Sequence, residues 1–245
     1  MKNGVVVEIC VESVEYAVAA ERGGADRIEL CSELFSGGAT PSRGLIAEVR
    51  RRVNIPIHVL IRPRLGDFCY SDCELDTMEG DIAALKQLGA DGIVLGVLEA
   101  GKRINLTRTA RLVKLAAPIP VTFHKAFDEC QDLLSSLGLV IKTGANCLLT
   151  SGGAATAADG VVQIEQLVKQ AAGRITIMPG GGIDASNVHH VLAQTRACYV
   201  HTSLGRSRVS PRPRSASPVS NIEMSQFEAR VRAIRELLEA NEVRP

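Results

Sequence analysis

The tripeptide Glu-x-Cys occurs twice near the start of the chain, each time at the end of an apolar run. Glu8-Ile9-Cys10 and Glu29-Leu30-Cys31 would lie on neighbouring strands, which are about 4.8 Å apart in a sheet. With matching register, the two sulfurs can share one ion. Two thiolates in a dry pocket suit Cu(I), a soft ion that tolerates low coordination, better than Zn²⁺, which takes four ligands. Buried cysteine is also a common small apolar residue, so metal binding at Cys10 and Cys31 and plain packing both stay open.

Two arginines follow the third apolar run, in Arg62-Pro63-Arg64-Leu65-Gly66-Asp67. The planar guanidinium groups of Arg62 and Arg64 match carboxylate or phosphate in shape. Two buried glutamates on adjacent strands also need cations nearby. We therefore expect Arg62 and Arg64 to bind an anion and to balance Glu8 and Glu29.

A histidine and an aspartate follow the fifth run, in His124-Lys125-Ala126-Phe127-Asp128. Imidazole titrates near neutral pH, so His124 can serve as a general acid, with a glutamate as general base and Asp128 nearby. The alternative is a core histidine whose hydrogen bonds are satisfied. If the protein is an enzyme, the predicted catalytic residues are Glu8, Glu29, His124 and Asp128.

Two glycine-rich stretches lie late in the chain, Thr150-Ser151-Gly152-Gly153 and Pro179-Gly180-Gly181-Gly182. Backbone N–H groups at helix starts bind anions, and barrel proteins often hold phosphate at their late loops. Glycine equally serves tight turns. The anion-binding residues predicted here are Ser151, Gly152, Gly181 and Gly182.

The composition excludes several classes of protein. The 245 residues are 46% hydrophobic and 22% charged, with a net charge of +1, which is typical of a soluble globular protein and disfavours binding to nucleic acid or anionic membranes by bulk charge. Glu8 interrupts the first valine run, so we expect no secretory segment, and no run is long enough for a membrane span. The cysteines number seven at irregular spacing, which favours reduced thiols and a cytoplasmic location.

Eight short apolar runs alternate with helix-like segments. The junctions between them recur as Gly-Ala-Asx and Ile-Pro, which end helices and start strands. Such alternation predicts a parallel sheet covered by helices, and eight units in this length favour a single (β/α)8 TIM-type barrel domain over 1–245. The predicted strands are Val5 to Cys10, Arg27 to Cys31, Ile57 to Arg62, Ile93 to Gly96, Val121 to Phe127, Cys147 to Ser151, Ile175 to Met178 and Cys198 to Ser203.

The chain changes character after the eighth run. It becomes rich in serine, proline and arginine, which predicts a mobile loop at about 204–221, either solvated or serving as an anion-binding or phosphorylated lid. Apolar residues at three-and-four spacing then predict a C-terminal helix at about 222–240.

Side-chain alternation predicts which residues meet inside the barrel. In strands 1 and 2, the uniformly apolar positions face the helices, so Glu8, Cys10, Glu29 and Cys31 point inward. The same parity sends inward His58, Leu60, Arg62, Thr122, His124 and Ala126, with Tyr199, His201 and Ser203 from strand 8. Acidic, basic and thiol groups thus converge at the carboxyl ends of the strands, where barrel sites lie.

Taken together, these segments resemble the CutC copper homeostasis family, in order over residues 5 to about 203. Lys125 stands where the family commonly has arginine, and the stretch after His201 departs from the family pattern. The motifs are Glu8-x-Cys10, Gly23 to Cys31, Gly37 to Ser42, Ile61 to Arg64, Gly66 to Phe68, Phe123 to Asp128, Leu149 to Gly153 and Met178 to Gly182.

The resemblance implies a TIM-type barrel, Cu(I) held by Cys10 and Cys31, a cytoplasmic and also nuclear location, and a homo-oligomer, either dimer or tetramer. We therefore expect a Cu(I)-binding protein of copper homeostasis, with no nucleic acid or membrane partner. The alternative is an enzyme that acts on a phosphorylated or carboxylated small molecule. A scaffold that oligomerises through its outer helices is a third reading, but it leaves the polar cluster unexplained.

Overall fold

Eight strands alternate with eight helices over residues 4–205 and 221–240, which are the residues that the computed structural model describes. The strands are β1 (Val6–Val11), β2 (Arg27–Leu30), β3 (Ile57–Leu60), β4 (Gly92–Leu95), β5 (Val121–Phe123), β6 (Cys147–Thr150), β7 (Thr176–Pro179) and β8 (Tyr199–Thr202). The helices are α1 (Val14–Arg22), α2 (Arg43–Arg52), α3 (Asp72–Leu88), α4 (Leu106–Ala116), α5 (Leu133–Thr143), α6 (Val161–Ala171), α7 (Val188–Thr195) and α8 (Asn221–Ala240).

The strands form one parallel sheet in the order β7-β6-β5-β4-β3-β2-β1-β8. Gly180 and His201 form an isolated parallel bridge between the two end strands, so the sheet is nearly closed. The predicted (β/α)8 barrel is confirmed.

The Gly-Ala-Asx junctions fix the amino-terminal end of the barrel. Gly89, at φ 73°, ends α3 in the left-handed conformation, which glycine adopts without steric cost. The acidic or amide side chain of each junction accepts a hydrogen bond from a backbone N–H at the start of an adjacent strand. These bonds run from Val7 to Asp26 at 2.7 Å, from Ile57 to Asp91 at 2.8 Å and from Val121 to Asn146 at 2.9 Å.

Alternation along the strands separates two apolar regions. The outer region lies between sheet and helices and includes Val7, Ile9 and Ile28. The interior holds two smaller clusters, one of Cys10, Cys31, Leu34, Leu60 and Val94 and one of Cys147, Leu149 and Met178. The predicted parity is confirmed for β1 to β3 and for the residues of β5.

The structure differs from the expected strand limits at β5. This strand ends at Phe123, because Lys125–Glu129 forms a 3-10 turn capped by His124. Alternation stops there, and Ala126, predicted to face the interior, packs in the outer apolar region.

The C-terminal part is partly described. Helix α8 spans Asn221–Ala240, against the predicted 222–240. Most of the predicted loop at 204–221 falls on residues 206–220, which lie outside the described residues. Among the described helices, none combines the length and apolar character needed to cross a membrane.

Candidate functional site

The two predicted metal ligands meet inside the barrel. The sulfurs of Cys10 and Cys31 are 3.7 Å apart, and both side chains are buried. The register is not the matching one that would set the two cysteines side by side, since Cys10 pairs with Glu29 across β1 and β2. Cys31 lies two residues after Glu29, just past the end of β2, and reaches Cys10 diagonally.

The register brings a carboxylate to the same thiol. The Cys10 Sγ donates to Oε1 of Glu29 at 3.5 Å. The contact with Cys31, burial and the charge of Glu29 hold the pKa of the Cys10 thiol well above its usual range. Cys10 is therefore a thiol in the metal-free protein, and a metal ion must displace its proton.

Glu8 is the charge centre of the barrel interior. Its side chain is fully buried, and it accepts from Nε of Arg27 at 2.5 Å and from Nδ1 of His201 at 2.7 Å. Burial alone would raise the pKa of Glu8, but Arg27, His201 and His58 lower it to about 2. Glu8 is thus ionised and paired, and its cations are Arg27 and His201 rather than the expected Arg62 and Arg64.

Glu29 has a different environment from Glu8. Its Oε2 is buried without a hydrogen-bond partner among the described residues, and it lies 3.9 Å from Nδ1 of His201. Burial raises the pKa of Glu29, in the opposite direction to that of Glu8. Burial would lower the pKa of His201, but Glu29 and Glu8 raise it. The two carboxyl groups thus favour the protonated form of His201.

Three of these residues form a cluster that can hold a metal ion. Ligand atoms of Cys10, Glu29 and His201 all lie within 4.8 Å of one another. Because Nδ1 of His201 is engaged by Glu8, its Nε2 is the atom left for a metal. Cys31 adds a second sulfur beside Cys10.

A cavity of about 240 Å³ opens from this cluster to the carboxyl end of the barrel. Arg62 lies in its wall, only 5% exposed, with its guanidinium 4.7 Å from the ring centre of Phe68. The terminal nitrogens of Arg62 donate to the carbonyl oxygens of Gly38 at 2.9 Å and Gly66 at 2.5 Å. Arg62 therefore shapes two loops and also presents charge to the cavity.

His124 lies in the same wall. Its Nδ1 accepts from the N–H of Ala126 at 3.2 Å, while its buried Nε2 has no partner among the described residues. Burial and the charge of Arg62 lower the pKa of His124 to about 3. The ring is therefore neutral, with its proton on Nε2.

The structure brings neither Arg64 nor Asp128 into this cavity wall. Arg64 binds Glu74 at 2.5 Å and Asp67 at 2.9 Å on the surface. Asp128 accepts from the hydroxyl of Thr150 at 2.5 Å and from the N–H groups of Ser151 at 3.0 Å and Gly153 at 2.9 Å.

Of the two glycine-rich loops predicted to bind an anion, only the second lines the cavity. In the first loop, the N–H of Ser151 is taken by Asp128, and the N–H of Gly152 is taken by the hydroxyl of Thr150 at 2.8 Å. In the second, Gly181 and Gly182 both line the cavity.

Sequence reasoning missed three residues of the site. Arg27 has the same parity as Glu29, so alternation could have placed it in the interior. Its pairing with Glu8 could be predicted only with the register between β1 and β2 known. His58 lies 3.9 Å from Glu8; it was assigned to the interior without a role. Lys125 lies in the cavity wall. Strand alternation could not predict this position, because Lys125 begins the 3-10 turn after β5.

Comparison with known proteins identifies relatives over most of the chain. The CutC family model matches residues 5–206. The copper homeostasis protein cutC homolog of Mus musculus is 48% identical over 208 residues, which cover 85% of this chain and 76% of the relative. The Homo sapiens homolog is 42% identical over 244 residues, covering 98% and 89%.

A solved structure supports the same relationship. The crystal structure of CutC from Streptococcus agalactiae superposes with a TM-score of 0.77 at 32% identity, covering 81% of this chain and 98% of that chain. Fold, sequence and family model thus agree, and the chain belongs to the CutC family of copper homeostasis proteins.

Proposed function

We propose that the protein binds Cu(I) as its cargo at Cys10 and Cys31. The observation that carries the proposal is the 3.7 Å distance between the two sulfurs inside the barrel. Soft sulfur ligands in a site with few other donors select Cu(I).

The surroundings of the two sulfurs support this ion. Leu34, Leu60 and Val94 form one apolar cluster with the two cysteines, so part of the surroundings of the sulfurs offers no ligand atom. Elsewhere around the pair, Oε2 of Glu29 lacks a partner among the described residues, and His201 is near. A Cu(I) ion can therefore be held by two sulfurs, with Glu29 or His201 as an additional ligand.

Zinc is the competing metal, because Cys10, Cys31, Glu29 and His201 together offer four ligands of the kinds that Zn²⁺ takes. Against zinc, Glu29 must leave its contact with Cys10, and four separate side chains must converge on one point. Two-coordinate Cu(I) requires only the sulfurs to rearrange.

A chelator competition under anaerobic, reducing conditions tests the proposal. We expect wild type to bind one Cu(I), and the double variant Cys10→Ser/Cys31→Ser to lose at least about 100-fold in affinity. The matched control is Cys69→Ser/Cys73→Ser, a cysteine pair outside the interior cluster, which should bind like wild type. Unchanged affinity in the first double variant, or tighter binding of Zn²⁺ than of Cu(I) against metal-calibrated chelators, would disprove the proposal.

The state of the cysteines bears on the cellular compartment in which the protein acts. All seven cysteines are free, and reduced thiols persist in the cytosol and nucleus. From these thiols and from membership of the CutC family, we propose that the protein acts in the cytoplasm and also in the nucleus. Family membership alone motivates our proposal of a homo-oligomer of two or four chains. Cell fractionation with antibody detection tests the location, and light scattering of the purified protein tests the assembly.

A further inference from the structure

The cavity at the carboxyl end of the barrel contains a buried cation without an anionic partner. Arg62 is 5% exposed, and no carboxylate of the described residues lies within ion-pair distance of it. Its terminal nitrogens contact carbonyl oxygens, and its Nε has no partner in the described part of the chain. Buried charges in proteins are normally paired, so this arginine indicates a missing anion.

A second cation lines the same cavity. Lys125 is exposed, and its ammonium makes no hydrogen bond or ion pair with the residues the structure describes. A Cβ built on Gly181 would be 3.2 Å from Nζ of Lys125. The absence of a side chain at Gly181 therefore leaves room beside this ammonium.

Unused donors and the position in the fold indicate the kind of anion. His124 presents Nε2 without a partner among the described residues, and this nitrogen is a donor because Nδ1 accepts from Ala126. Gly181 and Gly182 follow β7, in the region where barrels hold phosphate. Arginine matches carboxylate or phosphate, and lysine binds phosphate as a point charge. We assign the phosphate to Lys125 because Lys125 lies beside Gly181, which leaves Arg62 for the carboxylate.

One carboxylate also lines the cavity, and it does not cancel these cations. Glu29 contacts Cys10 and lies 3.9 Å from His201. Among the described residues, its ion pair is with His201 and not with Arg62 or Lys125, which leaves these two cations for a ligand. A cavity of about 240 Å³ is below the range of about 300–1,000 Å³ of typical ligand pockets, so the ligand is small.

We propose that the cavity binds a small phosphorylated carboxylic acid, with the phosphate between Lys125 and the Gly181–Gly182 loop and the carboxylate at Arg62 and His124. Its proposed ligands differ from the Cu(I) ligands Cys10 and Cys31, although Cys10 lines the same cavity, and anion binding requires no metal. The protein would thus bind an organic anion in addition to a copper ion.

Calorimetric titration of metal-free protein, in the presence of EDTA, tests the proposal with three probes. These are 2-phosphoglycolate, inorganic phosphate and glycolate. We expect 2-phosphoglycolate to bind at least tenfold more tightly than either fragment. Absence of binding, or equal affinity for phosphate alone, would overturn the two-ended site.

Variants locate the ligand. Lys125→Met should weaken binding of 2-phosphoglycolate at least tenfold, because it removes charge but keeps side-chain length. Lys114→Met, at an exposed lysine in the last turn of α4, is the matched control and should bind like wild type. Gly181→Ala should also weaken binding, since its Cβ would fill the space beside Lys125. Wild-type affinity in Lys125→Met would place the anion elsewhere and refute the assignment.

Discussion

Cys10 lies opposite Glu29 across β1 and β2, and Cys31 follows Glu29 by two residues, directly after the end of β2. The thiol of Cys10 therefore touches a carboxylate at 3.5 Å and a second thiol at 3.7 Å. Because of this offset, the site offers both sulfur and carboxylate oxygen as ligand atoms. It also makes the contribution of Glu29 to metal binding separable from that of the two sulfurs.

Removing the charge of Glu29 should weaken Cu(I) binding moderately. We expect Glu29→Gln to lower the affinity by about 10–100-fold, the range seen when a supporting ligand or its partner is removed, and less than Cys10→Ser/Cys31→Ser does. Chelator competition measures the difference. Glu48→Gln, at a surface ion pair on α2, is the control. Equal affinities for Glu29→Gln and wild type would limit the site to the two sulfurs.

Glu8 should be a major determinant of stability. Its carboxylate is fully buried and accepts from both Arg27 and His201. Glu8→Gln leaves the buried Arg27 without its anion, which typically costs about 3–5 kcal/mol. Urea unfolding should show this loss, whereas Glu48→Gln should cost at most about 1 kcal/mol. A loss below 1 kcal/mol for Glu8→Gln would mean that Arg27 finds another partner or water.

Within β1 to β3 and β5, alternation was enough to predict which residues enter the barrel, and it failed at Ala126, which lies in the turn after β5. Val7 and Ile9 face helices while Glu8 and Cys10 face inward, because successive side chains of a strand point to opposite faces. Repeated Gly-Ala-Asx junctions likewise predicted where strands begin, since the constraint is local.

Pairings across strands were not predictable in the same way. Arg27, two residues before Glu29, neutralises Glu8 only because β1 and β2 pair Glu8 with Arg27. Nothing in either segment fixes that register. Asp128 was assigned to acid–base chemistry, yet it is held by the loop after β6, a contact that depends on how the loops pack.

Because Gly92 packs closely against His58, replacing it by a larger residue should destabilise the folded protein. A Cβ at Gly92 would overlap the imidazole of His58, whereas a Cβ at Gly80 in α3 meets nothing within 4 Å. We expect Gly92→Ala to cost about 1–3 kcal/mol by overpacking, and Gly80→Ala to stabilise by up to about 1 kcal/mol through helix propensity. Urea unfolding of the two variants side by side provides the measurement. Equal effects of the two changes would contradict the close approach at His58.

The neutral His124 should make the protein less stable in mild acid. Its pKa is about 3 in the folded protein, lowered by burial and by Arg62, against about 6.5 in an unfolded chain. Between these values the unfolded chain takes up a proton that the folded protein refuses, so the free energy of unfolding falls as pH falls, by up to about 1.4 kcal/mol per pH unit.

His124→Asn keeps an acceptor for the N–H of Ala126 but cannot titrate, so its stability should decline less steeply than that of wild type from pH 6 to pH 4. Urea unfolding at each pH gives the two slopes, and contributions from Glu8, His58 and His201 cancel in their difference to first order. The exposed His189 provides the control, since His189→Asn should run parallel to wild type. Parallel curves for His124→Asn and wild type would show that His124 accepts a proton as readily in the folded protein as in the unfolded chain.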